Sequence, residues 1–239
     1  MRARTLAVVS LGLASGAWVV ARDYQRWLSL GVGGVPSTPC GWLKVTRLRL
    51  QKLEARDPRA FGAIAGGPHD RTWLPELPSR EGPRPDVWPY PVPHRQASQP
   101  GTPHGRARTI DIFDEHAAYD RASVTYRRSF FEKNGEALTV VDTVDSPPEI
   151  VTAQGEFAHI HAADGSMHVI LSPTDAAQVL SRGWGERHPL AGSWPAMPLN
   201  YVLLYSPRSV DEAEVVGSIV QAAERYARGS TQEPTAPRD

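Results

Sequence analysis

Residues 155–168 read GEFAHIHAADGSMH, and the chain runs on from Val169 to Ser172 as VILS. Two strand-like runs, GEFAHIH and SMHVILS, flank Asp164-Gly165, a dipeptide suited to the positive-φ positions of a two-residue hairpin turn. With that pair at the turn centre, Ala163 faces Ser166, Ala162 faces Met167, and His161 faces His168. Opposed residues of an antiparallel ladder share a face. His159, two residues before His161, joins that face. The stretch thus predicts three imidazoles on one side of a sheet, with Ala158, Ile160, Val169 and Leu171 on the other. An odd-length loop would send His168 to the opposite face. By the same parity Glu156 belongs with the apolar set, unless the strand is bulged there.

Punctuation downstream extends the hairpin into a larger unit. Ser172, Pro173 and Asp175 supply an N-cap, an N1 proline and an acidic N3 residue for a helix over AAQVLSR. Gly183 then provides a left-handed stop. NYVLLYSP (200–207) reads as a strand. Ser209 and Glu212 form a capping box for a helix that places Val215, Val216, Ile219, Val220 and Ala223 on one stripe. The C-terminal half therefore reads as a ββαβα unit, giving an α+β fold around an antiparallel, hairpin-based sheet.

Between these elements GWGERHPLAG (183–192) reads as a tight loop at the sheet edge. It carries Trp184, Glu186, Arg187 and His188, a set suited to the wall of a site. In the other reading of this loop, Trp184 plugs the core and Arg187 pairs with Glu186 or Glu156.

Two chemistries suit the histidines. His159, His161, His168 and His188 form a candidate ligand set for Zn²⁺ or Fe²⁺, since imidazole suits both. Alternatively, clustered imidazoles repel one another when protonated, which depresses their pKa and favours the neutral form that acts as a general base.

The remaining composition excludes several classes. With 26 basic and 26 acidic side chains the chain has no net charge, and nothing points to nucleic acid. Cys40, the one cysteine, cannot form an internal disulfide. No Walker loop, dinucleotide fingerprint, G-x-S-x-G elbow or Cys-x-x-Cys pair is present.

Upstream, Leu6–Ala21 is a run of 16 uncharged residues flanked by arginines. It is expected to serve, within residues 1–35, as a single-pass membrane anchor. A cleaved signal peptide with secretion, or a buried helix, are the alternatives. Residues 36–67 contain a basic amphipathic helix, expected on an anionic lipid surface or packed on the domain. Residues 68–108 form a proline-rich strap, with ten prolines between 68 and 103. Trp73, Leu74, Leu77, Trp88 and Tyr90 argue that it lies ordered across the domain. Residues 109–229 form that domain, where a helix-like stretch gives way to strand signals at ASVTYRRSFF and EALTVV. Residues 230–239 read as a disordered tail.

EFAHIH, MHVILSPTDA, GWGERHPLAG and LLYSPRSVDEAEVV, together with RDYQRWLSLG and WLPELPSREGPRP upstream, resemble the fungal luciferase-like domain family. The resemblance implies a membrane-associated oxygenase that adds O₂ to a small planar enol, a 3-hydroxy-α-pyrone such as 3-hydroxyhispidin. It implies no organic cofactor, O₂ as co-substrate and a planar polyketide or phenolic partner, and it leaves light emission open. Carried over motif by motif, it assigns catalysis to His159, His161, His168, His188 and Arg187. It makes Trp184 a stacking platform for the substrate, and Glu156 and Glu186 are expected to bind the substrate with it. The rival classes are a histidine-ligated metalloenzyme of other chemistry and a non-catalytic, membrane-tethered binding module.

Overall fold

The computed structural model describes residues 2–193 and 197–229, with side chains from residue 15 onward. Its helices are α1 (Arg2–Leu28), α2 (Pro39–Leu48), α3 (Pro103–Tyr119), α4 (Pro148–Thr152), α5 (Pro173–Ser181) and α6 (Val210–Ala227). Its strands are β1 (Val124–Arg128), β2 (Glu136–Val140), β3 (Glu156–Ile160), β4 (Met167–Ile170), β5 (Gly185–Arg187) and β6 (Tyr201–Leu204). The strands form one open sheet in the order β1-β2-β3-β4-β6-β5, every neighbouring pair antiparallel. The fold is α+β, and the tail at 230–239 lies outside the described residues.

The C-terminal half is ββαββα rather than ββαβα. Gly185–Arg187, expected in a loop, pairs with β6 and makes the sheet edge. The strand is only three residues long, so periodicity carries no signal for it. The caps form where the sequence places them. Ser172 accepts the Asp175 amide and Ser209 accepts the Glu212 amide. The Glu212 carboxylate, however, reaches back to the Arg208 amide rather than to Ser209, drawn there by its ion pairs with Arg80 and Arg208.

Helices α3 and α6 pack against β1–β4 over the main core, in which Val216, Ile219, Val220 and Ala223 of α6 are buried. The proline-rich segment belongs to the same core through Trp73, Leu74 and Leu77. The buried Asp175 carboxylate holds it there by accepting the Trp73 and Leu74 amides. Such pinning suits this chain, because proline removes the donors a sheet or helix would use.

The N-terminal region departs from expectation. Helix α1 does not end with its apolar run but continues through Arg22, Asp23 and Arg26. Its last turns dock on the domain. Trp27 is buried and donates from Nε1 to Val92 O at 2.8 Å. The Asp23 carboxylate accepts from Trp42 Nε1, Arg49 and the Tyr90 hydroxyl. Among the described residues no helix is long and apolar enough to cross a membrane. This overturns the expected single-pass anchor: 16 apolar residues fall short of the ~20 a span needs, and charged turns inside the same helix follow them. Helix α2 packs by the fully buried Val45 into a second core with Trp27, Leu30, Val35, Tyr90, Val92 and Leu190.

Candidate functional site

The hairpin brings the three histidines together, but in a different register from the one the turn signal suggests. His159 pairs with His168 and Ile160 with Met167, while the His161 amide donates to Ser166 O. Four residues, Ala162 to Gly165, close the loop, with Gly165 at φ +74. Asp164 leaves the turn centre because its carboxylate accepts three donors: the Ser166 amide and hydroxyl, and the Gln96 amide from the strap. The loop is two residues longer than expected and its parity is unchanged. His159, His161 and His168 therefore still share a face.

Glu156 reaches that face through a bulge. Leu138 pairs with Ala158 but Thr139 with Glu156, so Phe157 is the extra residue. Its carboxylate meets His159 Nδ1 at 2.6 Å and accepts from the Ser129 hydroxyl and the Phe130 amide. One buried side chain thus orients a histidine and fixes the loop after β1.

The five nearest imidazoles include one that the sequence reading missed. His94 comes from the strap, on the returning limb of a small hairpin closed by the Val87–Gln96 bridge. Its Nδ1 lies 3.1 Å from His168 Nε2, and its ring is 4.8 Å from that of His188. Proline flanks it on one side and arginine on the other, and no periodicity marks it. Tyr201 was also missed, being read only as the start of a strand. Its ring stacks on His168 at 4.6 Å and 15°.

Within the triad, His161 Nε2 lies 2.9 Å from His168 Nδ1 and 3.3 Å from His159 Nε2. The outward nitrogen of His161 contacts the Ser166 hydroxyl at 2.8 Å. His188 continues the β5 edge, its amide bonded to Tyr201 O, and its Nδ1 accepts the Leu190 amide. All five rings are at least 97% buried. Burial pushes His161, His168 and His188 well below the ordinary value of 6.5, reinforced by neighbouring charges. It also lowers His94, against the pull of Glu186. These four rings are therefore neutral at pH 7, although the Nδ1 lone pair of His188 is taken by the Leu190 amide.

Of the other expected site residues, Glu186 and Arg187 part by strand alternation, while Trp184 precedes the strand. Glu186 lies on the histidine face, 3.5 Å from His94 Nε2, paired with Arg56 and accepting the Tyr205 hydroxyl. Arg187 is directed elsewhere: its guanidinium donates to Glu54 O and its amide to Ala55 O, tying β5 to the segment after α2. Trp184 lies in the main core and donates from Nε1 to Pro78 O at 2.7 Å. The structure does not bring Trp184 or Arg187 to the histidines.

Beside the cluster is a cavity of about 190 Å³. Its walls are His94, His168, His188, Tyr201, Phe130 and Phe131, with Glu132 and Lys133 also lining it. Glu132 is held by Arg95, the strap residue next to His94. The site can therefore hold an aromatic-sized ligand between rings, next to neutral bases.

Comparison with known proteins identifies the family of the chain. The Luciferase domain model matches residues 154–223, the segment from the β3 bulge into α6. A luciferase of Armillaria gallica is 31% identical over 242 residues, covering 95% of this chain and 90% of the relative. Luciferases of Armillaria mellea and Neonothopanus nambi are 30% and 29% identical, each across 95% of this chain and 90% and 89% of their own lengths. No solved structure matches the chain. With the same family matched along nearly its whole length, and the family domain falling on the histidine hairpin, the chain belongs to the fungal luciferase-like family.

Proposed function

We propose that the protein is an oxygenase that adds O₂ to a small planar enol of the 3-hydroxy-α-pyrone type. The observation that carries the reading is the cavity in which neutral His94, His168 and His188 stand beside Phe130, Phe131 and Tyr201. Stacking between aromatic rings suits a flat, conjugated substrate. A neutral imidazole takes the enol proton, which leaves an electron-rich enolate able to transfer an electron to O₂. The dry surroundings keep the base neutral and strengthen any hydrogen bond to the developing anion. In the luminous members, resemblance implies that the oxygenated product then loses CO₂ and leaves an excited carbonyl compound. Light emission by this chain is a separate question from oxygen addition.

The test is oxygen uptake by the purified full chain with 3-hydroxyhispidin, with photons counted in parallel. Uptake above the enzyme-free rate, lost in His168→Ala, is the expected result. Saturable ligand binding with no uptake would instead assign the chain to the non-catalytic binding class.

A further inference from the structure

We propose that His159, His161 and His168 form a binding site for one divalent first-row transition-metal ion. Three ring nitrogens, from three side chains on one sheet face, form a compact triangle. Their separations are 2.9, 3.3 and 3.4 Å. A metal–imidazole bond of ~2.0–2.1 Å sets the nitrogens of two ligands about 3.3 Å apart at a tetrahedral angle and about 2.9 Å apart at a right angle. The observed triangle spans that interval, so an ion fits without moving the strands.

The outward nitrogens fit as well. Ligating histidines are normally held by a hydrogen bond from their second nitrogen. Here Glu156 holds His159 Nδ1, the Ser166 hydroxyl holds His161 Nδ1, and His94 Nδ1 holds His168 Nε2. Those bonds assign the protons. A carboxylate accepts from His159 Nδ1, so in the neutral, ligand-competent ring Nε2 is bare. Ser166 gives its own proton to Asp164, so it accepts from His161 Nδ1, and His161 Nε2 is also bare. Two bare nitrogens then face each other at 3.3 Å with a single His168 proton to share. For rings 97–98% buried this is an unfavourable arrangement. A cation at the centre satisfies all three. His168 then carries its proton on Nε2 and donates to His94, whose own Nε2 has no hydrogen-bond partner and faces the Glu186 carboxylate at 3.5 Å.

A second grouping, His94, His168 and His188, is also compact. It is the poorer site because His188 Nδ1 already accepts the Leu190 amide and the ring bonds the Pro91 backbone as well. The donor set decides the class of ion. Three neutral imidazoles suit zinc, iron, cobalt or copper rather than the oxygen-seeking Mg²⁺ or Ca²⁺. Three protein ligands leave a position open, as in catalytic rather than structural sites. Through His168 the centre touches the cavity wall. What the ion does there rests on the oxygenase reading; its binding does not.

The experiment is metal analysis of the full chain purified without chelator, followed by stripping and titration with Co²⁺ monitored by its visible absorption. The expected result is one ion per chain and cobalt bands that saturate at one equivalent. Glu156→Gln should weaken Co²⁺ binding roughly 10- to 100-fold, His161→Ala should abolish one-to-one binding, and His188→Asn should keep it. A folded, stripped wild-type chain that shows no cobalt bands overturns the proposal, and so does loss of the ion in His188→Asn but not in His161→Ala. The wild-type titration decides even if a variant fails to fold. One ion with no oxygen uptake leaves the site standing and removes the oxygenase reading; uptake by a chain that binds no ion does the reverse.

Discussion

Glu156 Oε1 lies 2.6 Å from His159 Nδ1, although the two residues sit three apart on a strand whose alternation would send them to opposite faces. The bulge at Phe157 removes that conflict. The same carboxylate serves Ser129 and Phe130, so one side chain couples the histidine cluster to the loop that lines the cavity. Glu156→Ala leaves three donors, two of them buried, without an acceptor and should lower unfolding free energy by about 2–4 kcal/mol. Glu156→Gln keeps an acceptor and should lose less than half of that. Urea denaturation of both variants checks the order; equal losses would place the carboxylate outside this network.

Trp184 distinguishes a core residue from a substrate platform. Its ring is buried in the main core and its Nε1 is bonded to Pro78 O. Trp184→Ala should cost roughly 3–5 kcal/mol of stability. At a temperature where the variant stays folded, KM for a planar substrate should shift less than twofold. A tenfold rise in KM would return Trp184 to the site.

His94 lines the cavity with a ring that burial keeps neutral. His94→Ala should reduce the oxygen-uptake rate at saturating 3-hydroxyhispidin by about 10²–10⁴, the range of a positioned general base. His94→Gln, which keeps size and polarity, should not restore it. An unchanged rate would move the base to another cavity imidazole.

Asp175 sets a pH dependence far from the histidines. Burial raises its carboxyl from 3.8 to about 6, despite the amides it accepts. A folded-state pKa above the unfolded one means the native chain holds the proton more tightly. That contribution is complete below pH ~4 and is lost as pH rises through 6, by up to about 3 kcal/mol. Measured against Asp175→Asn, wild-type stability should fall between pH 4 and 7. A difference that stays flat across that window would show the carboxyl to be unperturbed.

How much of this was readable along the chain follows from the range of each interaction. The shared face of His159, His161 and His168 depends only on parity, and parity survived a turn two residues longer than Asp164-Gly165 suggested. The caps at Ser172 and Ser209 and the apolar stripe of α6 are equally local, set by bonds over three or four residues. The register of the hairpin was not local. Asp164 is drawn out of the turn centre partly by Gln96, 68 positions away in sequence. The Glu156 bulge needed a partner strand to be bulged against, and the short edge strand Gly185–Arg187 exists only because β6 offers it a ladder. His94 reaches His168 because the strap folds back across the sheet, and Asp23 turns the end of an apolar helix into a docked one by collecting Trp42, Arg49 and Tyr90. Propensity, capping and alternation act between near neighbours and leave their pattern in the chain; burial and long-range hydrogen bonding act between segments that meet only after folding, and these assembled the cavity around a histidine face already written in fourteen residues.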